Sequence, residues 1–304
     1  MENFAVIVTF LIIGMVLQHI PDFSVETGRT LNLFVIYISL PALVLLKIPE
    51  LTFSSNLLVV GLMPWGMLFF SSGLILLLAS IFKWEKSVTG SFLLVIPLGN
   101  TSFLGVPMVK TFFGDHAISY ALLYDQLGSF LALATYGSLV IAFYGTAESR
   151  PNLKLICKKV GTFPPFIALI TALLLKFIAI SYPLPVINIL KTLSSTLVPV
   201  AMVAVGFQLR LKIDSRLTSL IAIGLFIKLI AAPLVALAAS KILGLEDEAA
   251  LVSIFEAGMP PMVSAGAMAI IANLAPTLTA ALVGIGIVLS FVTLPILYQL
   301  IISS

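Results

Sequence analysis

Long apolar runs alternate with short polar breaks along almost all of this 304-residue chain. Most runs hold about 20 residues, the length that an α-helix needs to cross the hydrocarbon core of a bilayer. Separated at charged residues and at Pro- and Gly-marked positions, the runs predict ten membrane spans. The predicted spans, numbered 1 to 10, are Asn3–Pro21, Arg29–Lys47, Asn56–Phe82, Ser87–Phe113, Ala117–Tyr144, Gly161–Tyr182, Pro185–Leu209, Arg216–Leu243, Ala249–Asn273 and Pro276–Ile301.

The longest hydrophilic stretch, from Gly145 to Lys159, divides the ten predicted spans into five and five. Because five crossings make the second half enter the membrane from the opposite side, any likeness between the halves must be an inverted repeat. We therefore expect a first five-helix repeat at 1–145, a cytoplasmic linker at 146–159 and a second, inverted five-helix repeat at 160–304.

Short sequence matches agree with a repeat. The segment Ser39-Leu40-Pro41-Ala42 of span 2 is echoed by Leu197-Val198-Pro199-Val200 of span 7, and Pro64 of span 3 by Pro233 of span 8. Each match can arise by chance, because Pro is common in membrane helices. A third correspondence, between interrupted helices in spans 4 and 9, carries more weight.

Two predicted spans are interrupted near their middles by Gly, Pro and polar residues. The first break is Gly99 to Pro107 (GNTSFLGVP) in span 4, and the second is Glu256 to Pro261 (EAGMPP) in span 9. Unpaired backbone groups inside a membrane persist only where they line a cavity or are buried in protein. Breaks at matching places in two halves therefore indicate the binding site of a secondary transporter. The alternative is a pair of proline kinks satisfied by neighbouring helices.

Composition supports an all-α membrane protein and excludes several other classes. Hydrophobic residues make up 60% of the chain and charged residues 10%, and the mean hydropathy is +1.19, values outside the range of soluble domains. The net charge of +3 reflects basic membrane loops and does not indicate a nucleic-acid partner. No serine-hydrolase, zinc-protease or P-loop motif occurs, so we expect neither an enzyme nor an organic cofactor.

Basic loop residues predict the orientation. Ten Lys and Arg residues fall on the side of the predicted loops 1–2, 3–4, 5–6, 7–8 and 9–10, against five on the opposite side. Because basic loops stay in the cytoplasm, both termini are expected outside a cell (inner) membrane. Lys228 remains inside span 8 as the one deeply placed cation.

The first break supplies groups suited to an anion. Asn100, Thr101 and Ser102 offer short neutral donors and acceptors. A second half-helix beginning near Gly105, with Pro107 in its first turn, would aim its N–H groups and positive dipole end into the protein.

In the second break, Pro260 and Pro261 are expected to begin a half-helix in the same way. If the two breaks cross, two helix N-termini converge near the bilayer midplane, which suits a carboxylate. The predicted substrate-binding residues are Asn100, Thr101, Ser102, Gly105, Pro107, Pro260 and Pro261.

Ionisable residues inside the spans are candidates for ion coupling, because burying a charge in a membrane is costly. Glu256 lies at the second break, and Asp125 lies inside span 5 with Gln126 and Ser129 close by. A carboxylate beside free carbonyls suits Na⁺, whereas a carboxylate in an apolar surround suits a proton carrier, and both interpretations are open. Alternatively, one of the two carboxylates forms a buried ion pair with Lys228.

The chain resembles a known family. Its five-plus-five spans, the Pro in spans 2 and 7 and an N-T-x-F-x-G-x-P motif resemble the auxin efflux carrier family, whose bacterial members include malate and malonate permease-like proteins. The motif residues are Asn100, Thr101, Phe103, Gly105 and Pro107. The segment Glu256-Ala257-Gly258-Met259 is also similar to the sodium-site segment of the related bile acid:sodium symporters.

This resemblance implies an NhaA-like, bile-acid-symporter-like fold with crossed helices at spans 4 and 9. It implies a scaffold of spans 1, 2, 6 and 7 and a mobile core of spans 3–5 and 8–10, which work by elevator-type alternating access. It further implies that Asn100 and Thr101 bind substrate, that Pro107 and Pro260 shape the crossover, and that Glu256, with Met259 in the same segment, belongs to a Na⁺ site. The Pro260-Pro261 pair is a departure, since the symporters carry polar amide side chains there.

We therefore expect a secondary transporter of small organic anions, coupled to Na⁺ or H⁺. The alternatives are a cation/proton antiporter or a bile-acid-like sodium symporter on the same fold. An intramembrane enzyme or passive channel is disfavoured, because catalytic pairs and a ring of pore residues are missing. The expected partners are the anion, the lipid bilayer and, by analogy with elevator scaffolds alone, a second copy in a homodimer.

Overall fold

The computed structural model describes residues 2–51, 57–146, 153–178, 180, 182–209 and 214–303. Within these residues the chain is helical, without a β-strand. The α-helices, α1 to α17, are Glu2–Leu17, Thr27–Phe34, Leu40–Lys47, Leu57–Phe82, Lys86–Val95, Val106–Phe112, Ile118–Leu123, Ser138–Tyr144, Leu153–Gly161, Pro164–Phe177, Leu184–Ser195, Leu197–Gln208, Thr218–Phe226, Ala232–Ile242, Glu248–Ala257, Val263–Ile271 and Pro276–Ser303.

Several α-helices continue through short segments of other helix types. The π-helical segments are Val35–Ser39, Thr101–Gly105, Tyr124–Phe130, Leu133–Gly137 and Ile227–Ala231. The 3₁₀ segments are Ile48–Glu50, Asp115–Ala117 and Ser215–Leu217.

Six continuous helices in the described residues are long and apolar enough to cross a membrane, and they coincide with predicted spans 2, 3, 5, 7, 8 and 10. They are Thr27–Glu50, Leu57–Phe82, Asp115–Tyr144, Leu184–Gln208, Ser215–Ile242 and Pro276–Ser303. The protein is therefore an integral, multi-pass membrane protein of the all-α class. The full number of ten spans stays a prediction.

The remaining predicted spans are shorter or broken. Span 1 is represented by the apolar helix Phe4–Leu17, and span 6 by the helices Lys154–Gly161 and Pro164–Phe177, which meet at an angle of 65°. The predicted linker at 146–159 thus contains the start of a helix. The predicted start of span 3 at Asn56 and the basic loop residues Arg150, Arg210 and Lys212 lie outside the described residues.

The chain divides into two compact units. Unit 1 comprises Met1–Ser54, Ser102–Leu122 and Cys157–Leu209, and unit 2 comprises Ser55–Thr101, Leu123–Ile156 and Arg210–Ser304. Unit 1 contains the helices of predicted spans 1, 2, 6 and 7, whereas unit 2 contains those of spans 3, 8, 9 and 10. The scaffold, the core and the sequence repeats remain predictions.

Within unit 1, α1 and α12 touch backbone to backbone. A Cβ atom placed on Gly14 would lie 2.2 Å from the carbonyl oxygen of Val203, and one on Gly206 would lie 2.1 Å from that of Leu11. Glycines at such positions let membrane helices approach closely. Any larger residue at Gly14 or Gly206 would force the two helices apart.

Unit 1 also brings together the segments that echo each other in the sequence. The hydroxyl groups of Ser39 and Thr196 share a hydrogen bond of 2.7 Å. Ser39 ends the π segment two residues before Pro41, and Thr196 lies three residues before Pro199. The two Pro-containing helices are thus joined next to their Pro motifs, one residue out of exact correspondence.

Unit 2 is built around α5, the first half of predicted span 4. Every residue from Thr89 to Val95 is buried, and α5 packs against α4, α8, α16 and α17. The approach of α13 is especially close, since a Cβ atom on Gly224 would lie 2.6 Å from the ring of Phe92. The end of α5, where the first break begins, is therefore held on several sides by packed helices.

Candidate functional site

The first break is non-helical over residues 96–100, between the end of α5 at Val95 and the π segment Thr101–Gly105. The regular α-helix α6 then begins at Val106, with Pro107 in its first turn, where a missing N–H is harmless. Helical structure therefore resumes at Thr101, four residues before the expected start near Gly105.

The second break is non-helical over residues 258–262, between α15, which ends at Ala257, and α16, which begins at Val263. The expectation that Pro260 and Pro261 begin the second half-helix is therefore wrong, because both precede it. The Pro261 ring packs against α17, where a Cβ atom on Gly286 would lie 2.6 Å from its Cδ.

The two breaks pair with each other inside unit 2. Gly99 and Pro261 form an isolated antiparallel β-bridge. The Asn100 backbone N–H donates to the carbonyl oxygen of Pro260 at 2.8 Å, and the Met262 N–H donates to that of Leu98 at 2.9 Å. Backbone groups that would otherwise be unpaired at membrane depth thus satisfy each other. We call the segments 96–100 and 258–262 the bridged breaks.

The bridge explains why glycine and proline stand at its centre. Its two hydrogen bonds flank the Gly99–Pro261 pair, so this pair needs no N–H of its own, and proline has none to offer. Flanked pairs of this kind bring their Cα atoms closest together. A Cβ atom on Gly99 would lie 3.2 Å from the Lys228 Nζ atom and 3.4 Å from the Met259 Cβ atom.

Asn100 keeps an unused donor at this position. Its side chain is only 1% exposed, and its Nδ2 atom is buried without a hydrogen-bond partner among the described residues. A buried amide without a partner costs about 1–3 kcal/mol and calls for a functional explanation. The Asn100 side chain is therefore available to donate to a ligand.

Thr101 belongs to a different hydrogen-bond group. Its hydroxyl donates to Asp125 Oδ1 at 2.6 Å, and Gln126 Nε2 donates to Asp125 Oδ2 at 2.7 Å. The Gln126 Oε1 atom is buried without a hydrogen-bond partner in the described chain. A threonine hydroxyl has a single proton, and that of Thr101 is used in the bond to Asp125. In this conformation the Thr101 hydroxyl can therefore only accept a hydrogen bond from a ligand.

The helix that carries Asp125 is fixed by close packing against α4. A Cβ atom on Gly128 would lie 2.2 Å from the ring of Pro64, and the Trp65 indole N–H donates to the carbonyl oxygen of Leu127 at 3.0 Å. Glycine and proline thus make a close contact between the helices of predicted spans 3 and 5, which holds Asp125 beside Thr101.

Glu256 lies in the last turn of α15, fully buried. Neither of its carboxylate oxygens has a hydrogen-bond partner within the described residues. The Lys228 ammonium instead donates to the Ala257 carbonyl oxygen at 3.3 Å. Glu256 and Lys228 are therefore not hydrogen-bonded to each other in this conformation, and the buried ion pair of Lys228 with Glu256 or Asp125 stays a prediction.

A small cavity in unit 2 is lined by Thr101, Glu256 and Lys228. Its volume is about 10 Å³, which is room for about one water molecule. Its polar lining includes Thr101, Tyr124, Ser129, Lys228 and Glu256. Residues with a carboxylate, an ammonium and hydroxyl groups thus line one cavity beside the first bridged break.

The predicted site residues do not all belong to one unit. Asn100, Thr101, Asp125, Gln126, Ser129, Glu256, Met259, Pro260 and Pro261 belong to unit 2, whereas Ser102, Gly105 and Pro107 belong to unit 1. Among the described residues, no group of three or more His, Cys, Asp and Glu side chains could hold a metal ion.

Sequence reasoning missed one residue of the site and the contacts of another. Tyr124 lines the cavity, although it looks like any aromatic residue of an apolar helix. Lys228 stood out as a buried cation, but its bond to Ala257 and its position beside Gly99 depend on chain segments far apart in sequence.

Comparison with known proteins agrees with a membrane transporter. A family model described as "Membrane transport protein" matches residues 1–298. An uncharacterized transporter of Methanocaldococcus jannaschii is 33% identical over 191 residues, an alignment that spans 60% of each protein. An uncharacterized transporter of Methanothermobacter thermautotrophicus is 24% identical over 297 residues, which are 97% of this chain and 96% of that protein.

Proposed function

Since this chain belongs to the membrane transport protein family, the family of the auxin efflux carriers, we propose that it is a secondary active transporter of small organic anions. The family resemblance predicted from the sequence is thereby confirmed. Two archaeal relatives are named as uncharacterized transporters. The substrate class, the coupling ion and the movement are our proposal.

The unpartnered Nδ2 atom of Asn100 carries the proposal. It lies one residue from Gly99, and a Cβ atom on Gly99 would lie 3.2 Å from the Lys228 Nζ atom, so a neutral donor and a positive charge both occur at the first bridged break. Donors of this kind match the lone pairs of a carboxylate. We therefore place the substrate carboxylate beside Asn100 and Gly99. The second bridged break, which contains Pro260 and Pro261, shapes the binding site.

The buried carboxylates support ion coupling. Glu256 has two oxygens without hydrogen-bond partners, and Asp125 is held by Thr101 and Gln126. Burying a carboxylate at membrane depth costs free energy, so the carboxylates found there usually have a function. We propose that Glu256, assisted by Asp125, Gln126, Ser129 and Met259, carries the coupling cation, for which Na⁺ and H⁺ are the candidates.

The movement that we propose is elevator-type alternating access. The division of the chain into two compact units, each with its own packed interior, supports it. In this proposal the chain has ten spans in two inverted repeats, at 1–145 and 160–304. Both termini lie outside the cell membrane, and the scaffold forms a homodimer.

A ligand screen tests the proposal. The purified protein would be challenged with dicarboxylates, aromatic acids and bile acids, each in Na⁺ and in K⁺ buffer, and its unfolding temperature recorded. A ligand that binds only the folded state raises that temperature. We expect at least one anion to stabilise the protein, and uptake of that anion into proteoliposomes.

The matched variants are Asn100→Ala and Asn188→Ala, since Asn188 is an exposed asparagine on α11. Asn100→Ala should abolish the stabilisation by the anion without lowering the unfolding temperature of the ligand-free protein. Asn188→Ala should leave both quantities unchanged. Full stabilisation of Asn100→Ala by the anion would contradict the assignment of the site.

A cation/proton antiporter is the second candidate, favoured by the free carboxylate of Glu256. In that case no organic anion would stabilise the protein. Proteoliposomes would instead exchange Na⁺ for H⁺, and Glu256→Gln or Asp125→Asn would stop the exchange.

A further inference from the structure

Lys228 lies beside the first bridged break and bonds to the end of α15, which leads into the second. Its side chain is 4% exposed and projects from the π segment Ile227–Ala231 in the middle of predicted span 8. The Nζ atom donates to the Ala257 carbonyl oxygen at 3.3 Å and lies 3.2 Å from where a Cβ atom on Gly99 would be. One ammonium group therefore lies beside the first break and donates to the helix that leads into the second.

Lys228 bonds to the Ala257 carbonyl oxygen, a group that a metal cation at this place would need as a ligand. Ala257 is the last residue of α15, and the final carbonyl groups of a helix lack partners within it and carry partial negative charge. Carbonyl oxygens and carboxylates are also the ligands that a hard cation such as Na⁺ prefers. The ammonium of Lys228 is itself a cation with three N–H donors, so it can neutralise the same carbonyl oxygen and carboxylate.

The cavity leaves little room for a second cation. It holds about one water molecule, and both Lys228 and Glu256 line it. A Na⁺ ion bound to Glu256 there would lie close to the ammonium, and like charges repel strongly where little water screens them. The residues present therefore do not fit the Na⁺ site that the family resemblance implies.

We propose that the Lys228 ammonium is the built-in cation of this site, taking the place of Na⁺ beside Glu256 and the end of α15. It supplies permanently the positive charge that a Na⁺-coupled transporter acquires by binding the ion. Anion transport by this protein is therefore independent of Na⁺, and of the two candidates H⁺ remains as the coupling ion that Glu256 carries. This inference deepens the proposed function and rests on it only for the transport readout.

Removing the ammonium tests the proposal. In Lys228→Met, an apolar side chain of similar length leaves Glu256 and the Ala257 carbonyl oxygen without a cation. We expect this variant to be stabilised by NaCl over equimolar KCl, with a rise in unfolding temperature of about 5 °C. The charge-preserving control, Lys228→Arg, should respond equally to the two salts.

The wild-type protein gives the decisive reading even if Lys228→Met fails to fold. Its unfolding temperature without anion, and its anion uptake into proteoliposomes, should be the same in NaCl and KCl. Stabilisation of the wild-type protein by Na⁺, or Na⁺-dependent uptake, would overturn the proposal. So would a folded Lys228→Met variant that does not respond to Na⁺.

The two proposals fail in different ways. If no organic anion binds, the proposed function is wrong, but the Na⁺ measurement without anion still decides the role of Lys228. If an anion binds and its transport needs Na⁺, the proposed function stands and the role of Lys228 is wrong.

Discussion

Gly99 and Pro261 face each other in a single antiparallel bridge, although more than 160 residues separate them in the sequence. The bridge joins two interrupted helices, each of which would otherwise leave backbone groups unpaired. It leaves the Asn100 side chain free to bind a ligand, because only the Asn100 backbone N–H is used in the pairing. The backbone bridge thus both pairs the two breaks and leaves the Asn100 side-chain amide available as a donor.

Replacing Pro261 with alanine tests the bridge. The change adds a buried N–H at a position where the bridge provides no acceptor. An unsatisfied buried N–H costs about 1–3 kcal/mol, so we expect Pro261→Ala to lower the free energy of unfolding by about that amount. The measurement is thermal or denaturant unfolding in detergent. Pro185→Ala, at an exposed position in the first turn of α11, is the control, and an equal loss there would contradict the explanation.

The contact between Pro261 and α17 predicts a different effect for two glycines. In Gly286→Ala the new methyl group would lie 2.6 Å from Pro261 Cδ and 3.0 Å from Leu225 Cδ2. Such overpacking costs about 1–3 kcal/mol, and we expect reduced transport because the second break must shift. A methyl group on Gly73 would have no neighbour within 4 Å, so Gly73→Ala should stabilise α4 by about 0.5–1 kcal/mol. Unfolding and uptake assays on both variants compare the two sites.

The hydroxyl of Thr101 is expected to act through Asp125. Thr101→Val keeps the shape of the side chain and removes the 2.6 Å hydrogen bond to the Asp125 carboxylate. Hydrogen bonds to charged groups contribute about 1.5–3 kcal/mol, and the unfolding free energy should fall by about that much. Thr101→Ser retains the donor and should behave like the wild-type protein. Equal stability of the valine and serine variants would show that this hydrogen bond contributes nothing.

Glu256→Gln separates ion coupling from substrate binding. The amide keeps the size of the side chain and loses the charge that holds the coupling cation. Accumulation of the anion against its gradient should fall to the level of protein-free liposomes, while exchange of internal for external anion continues. Both are measured as uptake of labelled anion. Exposed Glu85 provides the control Glu85→Gln, and accumulation that survives Glu256→Gln would place the coupling group elsewhere.

The sequence locates the breaks but not their pairing. Gly99 and Pro261 stand out inside apolar runs because each disfavours a helix, so their positions were predictable from local chemistry. Which residues bond across the breaks depends on how α5, α15 and α17 pack, and the hydropathy pattern does not predict this packing. The helix start at Val263 rather than Pro260 follows from this pairing, because Pro261 is held in the bridge.

The sequence also did not predict the side-chain partners at the site. Lys228 was recognisable as a buried cation, yet its contact with Ala257 depends on the direction in which a π segment points it. Thr101 looked like a substrate ligand, whereas in the structure its proton is donated to Asp125. Both outcomes depend on local departures from the regular helix, which a period of 3.6 residues does not describe.

The π segments have a further consequence for how this site tolerates changes in chain length. Each such turn accommodates one residue more than an α-helical turn, and an α-helix rotates by about 100° per residue. Asp125 and Lys228 both lie within π segments. Deleting one residue from either segment would let an ordinary α-helix form, which leaves the flanking turns in place but changes the direction in which Asp125 or Lys228 points. For these two spans, a single deletion within the π segment would therefore alter the site while it keeps the surrounding helix packing.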